Sequence, residues 1–330
     1  MTNIVDLHVD SIIQQRLFRY DIQRRHRAGI KGQPLFWHAD IPRMIEAGYR
    51  GACMGVHYYP WESEGGWEEM KRQIAYLDEV ADRDQRTMRI RSAGDWKRAK
   101  EAGKLGLIPG VEGAHMLNGR IDRARRLAEF DVAYLTLAHF SANSAATPSI
   151  GRGADERHGL TAFGRALIEE LNRHGVAVDL AHVNTPGVLD ACEVTEAPVF
   201  CTHTGVKGVW DNPRNITDGE IEAIAATGGV IGVIFAPLFL AGKWRADTGV
   251  ALDHLEYVID RVGIEHAAIG SDYDGWLPTI LSDHRDCRDI KRVTDGLRRR
   301  GYSDEEIDRI RFGNALRVMK EVELAGKDAG

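Results

Sequence analysis

Short apolar, β-rich runs bounded by turn residues recur along the chain and alternate with segments whose apolar positions repeat at helical spacing. The runs fall at 3–10 (NIVDLHVD), 51–59 (GACMGVHYY), 105–113 (LGLIPGVEG), 131–139 (DVAYLTLAH), 176–182 (VAVDLAH), 198–203 (PVFCTH), 228–235 (GGVIGVIF) and 266–272 (HAAIGSD). Helix-period segments lie between most of them, as at 67–83 (WEEMKRQIAYLDEVADR), 160–175 (LTAFGRALIEELNRHG) and 217–228 (TDGEIEAIAATG). Thr217 followed three residues later by Glu220 predicts a capping box at the start of the last of these. A strand that is apolar on both faces needs cover on both, and helical crossovers supply the outer layer. Eight such strands in alternation with helices therefore predict an α/β fold, a (β/α)8 TIM-type barrel occupying residues 1–330 as a single catalytic domain. The charged stretch 288–323 predicts extra C-terminal helices packed on the outside, with Arg298, Arg299 and Arg300 at a solvated helix end.

Composition narrows the function classes. With 43% hydrophobic and 28% charged residues the chain can bury a large core, and nothing in it predicts disorder. A net charge of -6 leaves no dominant positive field to recruit phosphates, so no nucleic-acid partner is expected. Cys53, Cys192, Cys201 and Cys287 are scattered, without metal-ribbon spacing or disulfide density, which fits a reducing cytoplasm. No basic region with an apolar segment precedes the first strand, and the tail does not read as a lipid-anchor signal. The most apolar stretch, 228–242, is too short to span a bilayer and carries Pro237, so no membrane is expected either.

Barrel enzymes assemble their chemistry at the carboxyl ends of the strands. Here those ends carry His8 with Asp10, His57, Glu112, His139, His182, His203, Phe235 and Asp272, so seven of eight strands finish in an ionisable group. Scattering 13 histidines over 330 residues would rarely place five of them at the same end of different strands. Neutral imidazoles and carboxylates together suit zinc or a similar divalent ion, which both donate to at about 2.0–2.2 Å. His8 and Asp10, two apart on a strand, project to one side and can share an ion. His182 and His203, on neighbouring strands, could hold another, and the two oxygens of Glu112 could bridge the pair. Two ions about 3.5–4 Å apart would trap a hydroxide between them at neutral pH.

Of the remaining candidates, Asp272 in GSDYDG reads as a proton shuttle and Asp274 as a turn-fixing residue. The guanidinium fork of Arg214, beyond the sixth strand, could clamp a substrate carboxylate. His57 reads as part of an aromatic-rich wall (VHYYP) rather than as a ligand. Cys201, two before His203, is set aside as a soft ligand. His26, His38, His115, His158, His174, His254, His266 and His284 are assigned to the surface or to supporting positions.

These residues resemble the membrane (renal-type) dipeptidase family, metallopeptidases built on the amidohydrolase barrel. The likeness runs from His8 to about Val318 through DLHVD, ADIPRMIEAGYRGACMG, GVEGAH, YLTLAH, GLTAFG, VDLAHV, PVFCTHT, PRNITD, GSDYDG and GNALRV. The resemblance implies that His8, Asp10 and Glu112 bind one zinc and Glu112, His182 and His203 the other. It implies further that His139 and Arg214 contact substrate and that Asp272 moves protons. Two departures stand beside ligands: Val9 replaces the usual Asn between the first His and Asp, and Thr202 replaces a common Ser before the last histidine. Disulfides and a lipid anchor, carried by secreted mammalian members, find no support here.

The expected activity is zinc-dependent hydrolysis of a dipeptide by a metal-bridged hydroxide, with L,D as well as L,L substrates implied by the resemblance. His139 would assist the oxyanion, Asp272 would carry the proton to the departing amine, and Arg214 would hold the C-terminal carboxylate. The alternative is a binuclear amidohydrolase acting on an N-acyl amino acid, a lactam or a lactone, because loops select the substrate on such a barrel. The expected partners are a dipeptide substrate and, as an open assembly, a second copy of the chain in a homodimer. Other divalent ions could replace the two zincs.

Overall fold

The computed structural model describes residues 3–27, 29–32, 37–58, 61–275 and 279–328. Its strands are β1 (Ile4–Val9), β2 (Tyr49–His57), β3 (Thr87–Arg89), β4 (Leu105–Glu112), β5 (Tyr134–Thr136), β6 (Ala177–Asp179), β7 (Phe200–Thr204), β8 (Val230–Val233) and β9 (Ala267–Ile269). They form one parallel sheet in the order β1-β2-β4-β5-β6-β7-β8-β9, with β3 pairing β4 off this path. The two ends of the path come together. Val9 bridges Tyr273 in parallel, Asp272 N donates to His8 O at 2.9 Å and Asp10 N to Tyr273 O at 2.8 Å. Beside them the Asp6 carboxylate accepts from Ser271 N at 2.8 Å and Ser271 Oγ at 2.7 Å. The result is a nearly closed eight-strand barrel wrapped in helices, the (β/α)8 TIM-type barrel that the alternation predicts.

Residues alternate between two cores, as a pleated strand requires. On β2, Ala52, Met54 and Val56 face the large cluster between strands and helices while Cys53 joins a smaller inner cluster. The same alternation sends Ile108, Tyr134, Ala177, Phe200, Val230 and Ala268 inward. Cys201 belongs to the outer cluster, which removes it from the barrel mouth. All four cysteines are free, and no helix among the described residues is long and apolar enough to cross a membrane.

The expected helices appear as Glu64–Arg83, Ala162–Arg173 and Asp218–Ala226, the last with both halves of its capping box formed. At the C-terminal end Lys291–Arg299, Asp304–Asp308 and Asn314–Asp328 are α-helical, joined by a π-turn at Arg309–Gly313. These helices do more than pack outside: Phe312, Ala315, Val318 and Val322 enter the inner cluster and floor the barrel.

Three strands end three residues short of their apolar runs. β5, β6 and β9 stop three residues before His139, His182 and Asp272, so these side chains stand on loops and not on strand ends. For β6 and β9 the reason is local: His182 and Asp272 hold φ of 68° and 59°, a left-handed conformation that cannot continue a strand. Likewise Asp10 has already left β1, at φ -96° and ψ 15°. Tyr59, the last residue of the second run, lies outside the described residues.

Candidate metal centre

Glu112, the last residue of β4, is in register with His57 on β2 and Thr136 on β5, which puts its carboxylate at the inner rim of the mouth. Four imidazoles converge on it. His182 Nε2 lies 3.1 Å and His203 Nε2 3.4 Å from Glu112 Oε1, His8 Nε2 is 3.6 Å from the same oxygen, and His139 Nε2 is 3.6 Å from Oε2. Asp10 Oδ1 sits 3.2 Å from His8 Nε2, and the His182 and His203 Nε2 atoms are 3.0 Å apart. Within this cluster three sets of donors each fit inside 4.8 Å: His8, Glu112 and His203; Glu112, His139 and His182; and His8, Asp10 and Asp272.

Strand geometry makes room for the donors. Gly55 on β2 faces Asp10, and a Cβ there would stand 2.0 Å from Asp10 Oδ1 and 3.1 Å from His8 Nε2. One pleat over, Gly110 on β4 leaves space for the Tyr134 ring, whose Cζ a Cβ would approach to 2.2 Å. Tyr134 Oη can then donate to Leu7 O at 2.9 Å while lying 2.7 Å from His8 Nδ1. On the opposite side Asp179 accepts from Thr136 Oγ1 at 2.6 Å, Thr202 N at 2.8 Å and Thr202 Oγ1 at 2.9 Å, and Thr202 Oγ1 lies 2.8 Å from His203 Nδ1.

The chemistry of this donor set fits divalent cations. His8 Nε2 and Asp10 Oδ1 are buried without a hydrogen-bond partner among the described residues, although they face each other. Burial pulls the His139, His182 and His203 rings well below the usual imidazole range, which keeps them neutral and able to donate lone pairs. Burial also opposes charge on His8, but the Glu112 and Asp10 carboxylates override it and push that ring up to about 10. The Glu112 carboxyl is itself pushed up to about 8, by burial against the pull of His8. Asp272 is raised well above the carboxylate range by burial and by Asp10. Three crowded carboxyls and a forced imidazolium describe a place short of positive charge, the deficit that bound cations would meet.

Above the donors lies a cavity whose polar lining is Asp10, Glu112, His139, His182, Arg214 and Asp272 and whose apolar lining is Phe140, Ile234 and Phe239. Arg214 is 2% exposed. Its Nη2 donates to His203 O at 2.9 Å, its guanidinium lies 5.8 Å from the Phe239 ring centroid, and its Nε is buried without a partner among the described residues. His139 stacks obliquely on Phe140 at 4.5 Å and meets His182 edge-on at 4.6 Å.

Every residue named at the strand ends except Phe235 reaches this mouth or its wall. Phe235 turns instead to Tyr273 and His284, and Ile234 lines the cavity in its place. His57 meets His139 edge-on at 5.6 Å and joins none of the three donor sets, as its reading as wall expects; burial pulls its ring down to about 3. Asp274 accepts from Ser11 Oγ and from the amides of His38 and Ala39, so its carboxylate ties together segments distant in the chain, while residues 276–278 of the turn that follows it lie outside the described residues. Sequence reasoning missed Gly55, Tyr134 and Asp179. Only Asp179 left a trace, as an acid inside the apolar run 176–182.

Comparison with known proteins places these features in context. The family model for membrane dipeptidase, peptidase family M19, matches residues 1–329. A dipeptidase of Claviceps purpurea is 29% identical over 87% of this chain and 69% of its own length. An uncharacterized dipeptidase of Schizosaccharomyces pombe is 35% identical over 67% of this chain, which spans only 54% of that relative. Among solved structures, a metallopeptidase of Rhodobacter sphaeroides, liganded with a phosphinate mimic of the dipeptide L-Ala-D-Ala, superposes with a TM-score of 0.84 at 23% identity, covering 97% of this chain and 99% of the other.

Proposed function

Since the chain belongs to the membrane dipeptidase family, peptidase family M19, we propose that it hydrolyses the peptide bond of short dipeptides, L,D as well as L,L, with residues 1–330 acting as one catalytic unit. His8, Asp10 and Glu112 would hold one divalent ion and Glu112, His182 and His203 a second, zinc by the character of the donors. Such ions, when bound, supply a Lewis acid for the scissile carbonyl and an activated water as nucleophile. The observation that carries the reading is the convergence of four imidazole Nε2 atoms on one buried carboxylate, 3.1–3.6 Å away.

The other residues divide the remaining work. Arg214, buried and fixed through His203 O, offers an unused Nε edge to a carboxylate, so the C-terminus of a dipeptide is anchored one residue from the cleaved bond. That distance selects short substrates. His139, beside Glu112 on the cavity wall, stands to donate to the oxyanion that develops on the carbonyl. Asp272 lines the same cavity with its carboxyl pushed upward, which suits it to take a proton and pass it to the leaving amine. The L-Ala-D-Ala mimic held by the Rhodobacter sphaeroides metallopeptidase supports including L,D substrates.

The test is direct. Chelator-treated protein reloaded with zinc is assayed on L,L and L,D dipeptides and, in parallel, on N-acyl amino acids. Turnover of dipeptides that disappears on chelation and returns with zinc is the expected result. Turnover of N-acyl amino acids alone would overturn the dipeptide assignment, and zinc-independent turnover would overturn the metal centre.

A further inference from the structure

A metal-binding imidazole needs its lone pair on the correct nitrogen, and what sits at the other nitrogen decides this. His8 and His203 both turn Nε2 toward Glu112, and both meet a hydroxyl at Nδ1. Each hydroxyl has a single proton, and in each case a group that can only accept claims it. Tyr134 Oη lies 2.9 Å from Leu7 O, and Thr202 Oγ1 lies 2.9 Å from Asp179 Oδ2. With its proton committed, each oxygen can only accept from Nδ1–H. Both rings therefore keep their proton on Nδ1, which leaves Nε2 as the nitrogen that an ion can take, on His8 once the ion displaces the second proton.

We propose that Tyr134 and the Thr202–Asp179 pair are positioning groups of the metal centre, each locking one imidazole in the tautomer and orientation that presents Nε2 to an ion. The inference rests on the binuclear reading above and extends it to residues that touch no ion.

Two features argue that these contacts are built rather than incidental. Tyr134 reaches His8 only because Gly110 has no side chain, and Asp179 is held by three further donors, Thr136 Oγ1, Thr202 N and Ala181 N, at 2.6, 2.8 and 3.2 Å. The replacement of a common Ser by Thr at 202 keeps the hydroxyl on which the lock depends. His182 provides the contrast, since its Nδ1 is buried with no hydrogen-bond partner among the described residues. The two locks also differ in kind. His8 leans on a neutral phenol, whereas His203 is linked through a hydroxyl to a carboxylate.

The experiment measures metal, not turnover. Zinc bound per chain is determined by elemental analysis after dialysis, and affinity by competition with a chromophoric chelator, for wild type, Tyr134→Phe, Thr202→Val and Thr202→Ser. Near-ultraviolet circular dichroism reports whether each variant has folded. Tyr134→Phe and Thr202→Val should each weaken one of two zinc sites about 10- to 100-fold, while Thr202→Ser retains both. Should one variant fail to fold, the other carries the test alone. Unchanged affinity at both sites in a folded Tyr134→Phe or Thr202→Val chain overturns the lock in question. Failure of the wild type itself to take up zinc would overturn the binuclear reading and the inference with it.

Discussion

Each side chain at the mouth carries a separable task, so single substitutions should fail in different ways. Asp272→Asn keeps the shape but removes the proton carrier. Its kcat is expected to fall roughly 100- to 10,000-fold while zinc content is unchanged, which steady-state kinetics beside elemental analysis will show. Arg214→Met removes the carboxylate anchor without touching a donor. Here KM should rise about 10- to 100-fold, the 1.5–3 kcal/mol typical of charge-assisted hydrogen bonds, with kcat less affected; a fall confined to kcat would contradict the anchoring role. The sequence announced Asp272 because ionisable groups are conspicuous at the end of apolar runs, and Arg214 as a guanidinium in the loop beyond one. It concealed Tyr134, which looks like an ordinary strand residue until its partner on β1 is known, whereas Thr202 stood out only as a departure beside a ligand.

At the level of the element, the strands were easier to read than their ends. Apolar runs betray a strand buried on both faces, yet the same runs overshoot β6 and β9, because His182 and Asp272 take left-handed backbone angles that no hydropathy pattern records. β3 was not visible at all, being three residues within a charged stretch. Gly55 belongs to this scale too, since its value lies in what β2 does not place against its neighbour. Gly55→Ala would drive a methyl group into Asp10 Oδ1, at 2.0 Å from the present oxygen. Chelator competition should then show zinc affinity lowered about 10-fold or more, with far-ultraviolet circular dichroism unaltered. Wild-type affinity would mean that Asp10 is not held where the strand puts it.

Across the whole molecule, burial of so many imidazoles sets a pH dependence. His57 and His284 are pulled down by burial to about 3 and about 4, and His115, His139, His182, His203 and His254 are also lowered. Below an unfolded-state value of about 6.5, the unfolded chain takes up protons that the folded chain refuses, so stability falls as pH falls. Asp6, pushed up to about 6 by burial, works in the opposite sense, as do Glu112 and Asp272. Asp179 and His8 are raised as well, which makes five groups against seven, and the seven lowered histidines prevail. The urea midpoint of the chelator-treated chain should therefore drop from pH 6.5 toward pH 4, and His284→Asn should make that slope shallower by about one proton. A midpoint that rises over this interval would show that the rings are protonated in the folded state.

The junction between β9 and β1 has its own kinetic consequence. Most strands of the barrel are paired along a ladder, but here two amide bonds and the Asp6–Ser271 clasp carry the closure. Opening this one seam parts His8 and Asp10 from Asp272, so a breathing motion there and escape of an ion would be the same event. Deuterium uptake at the amides of Asp10 and Asp272 should accordingly be fast after chelation and slow once zinc is restored, while the β2–β4 ladder remains protected in both.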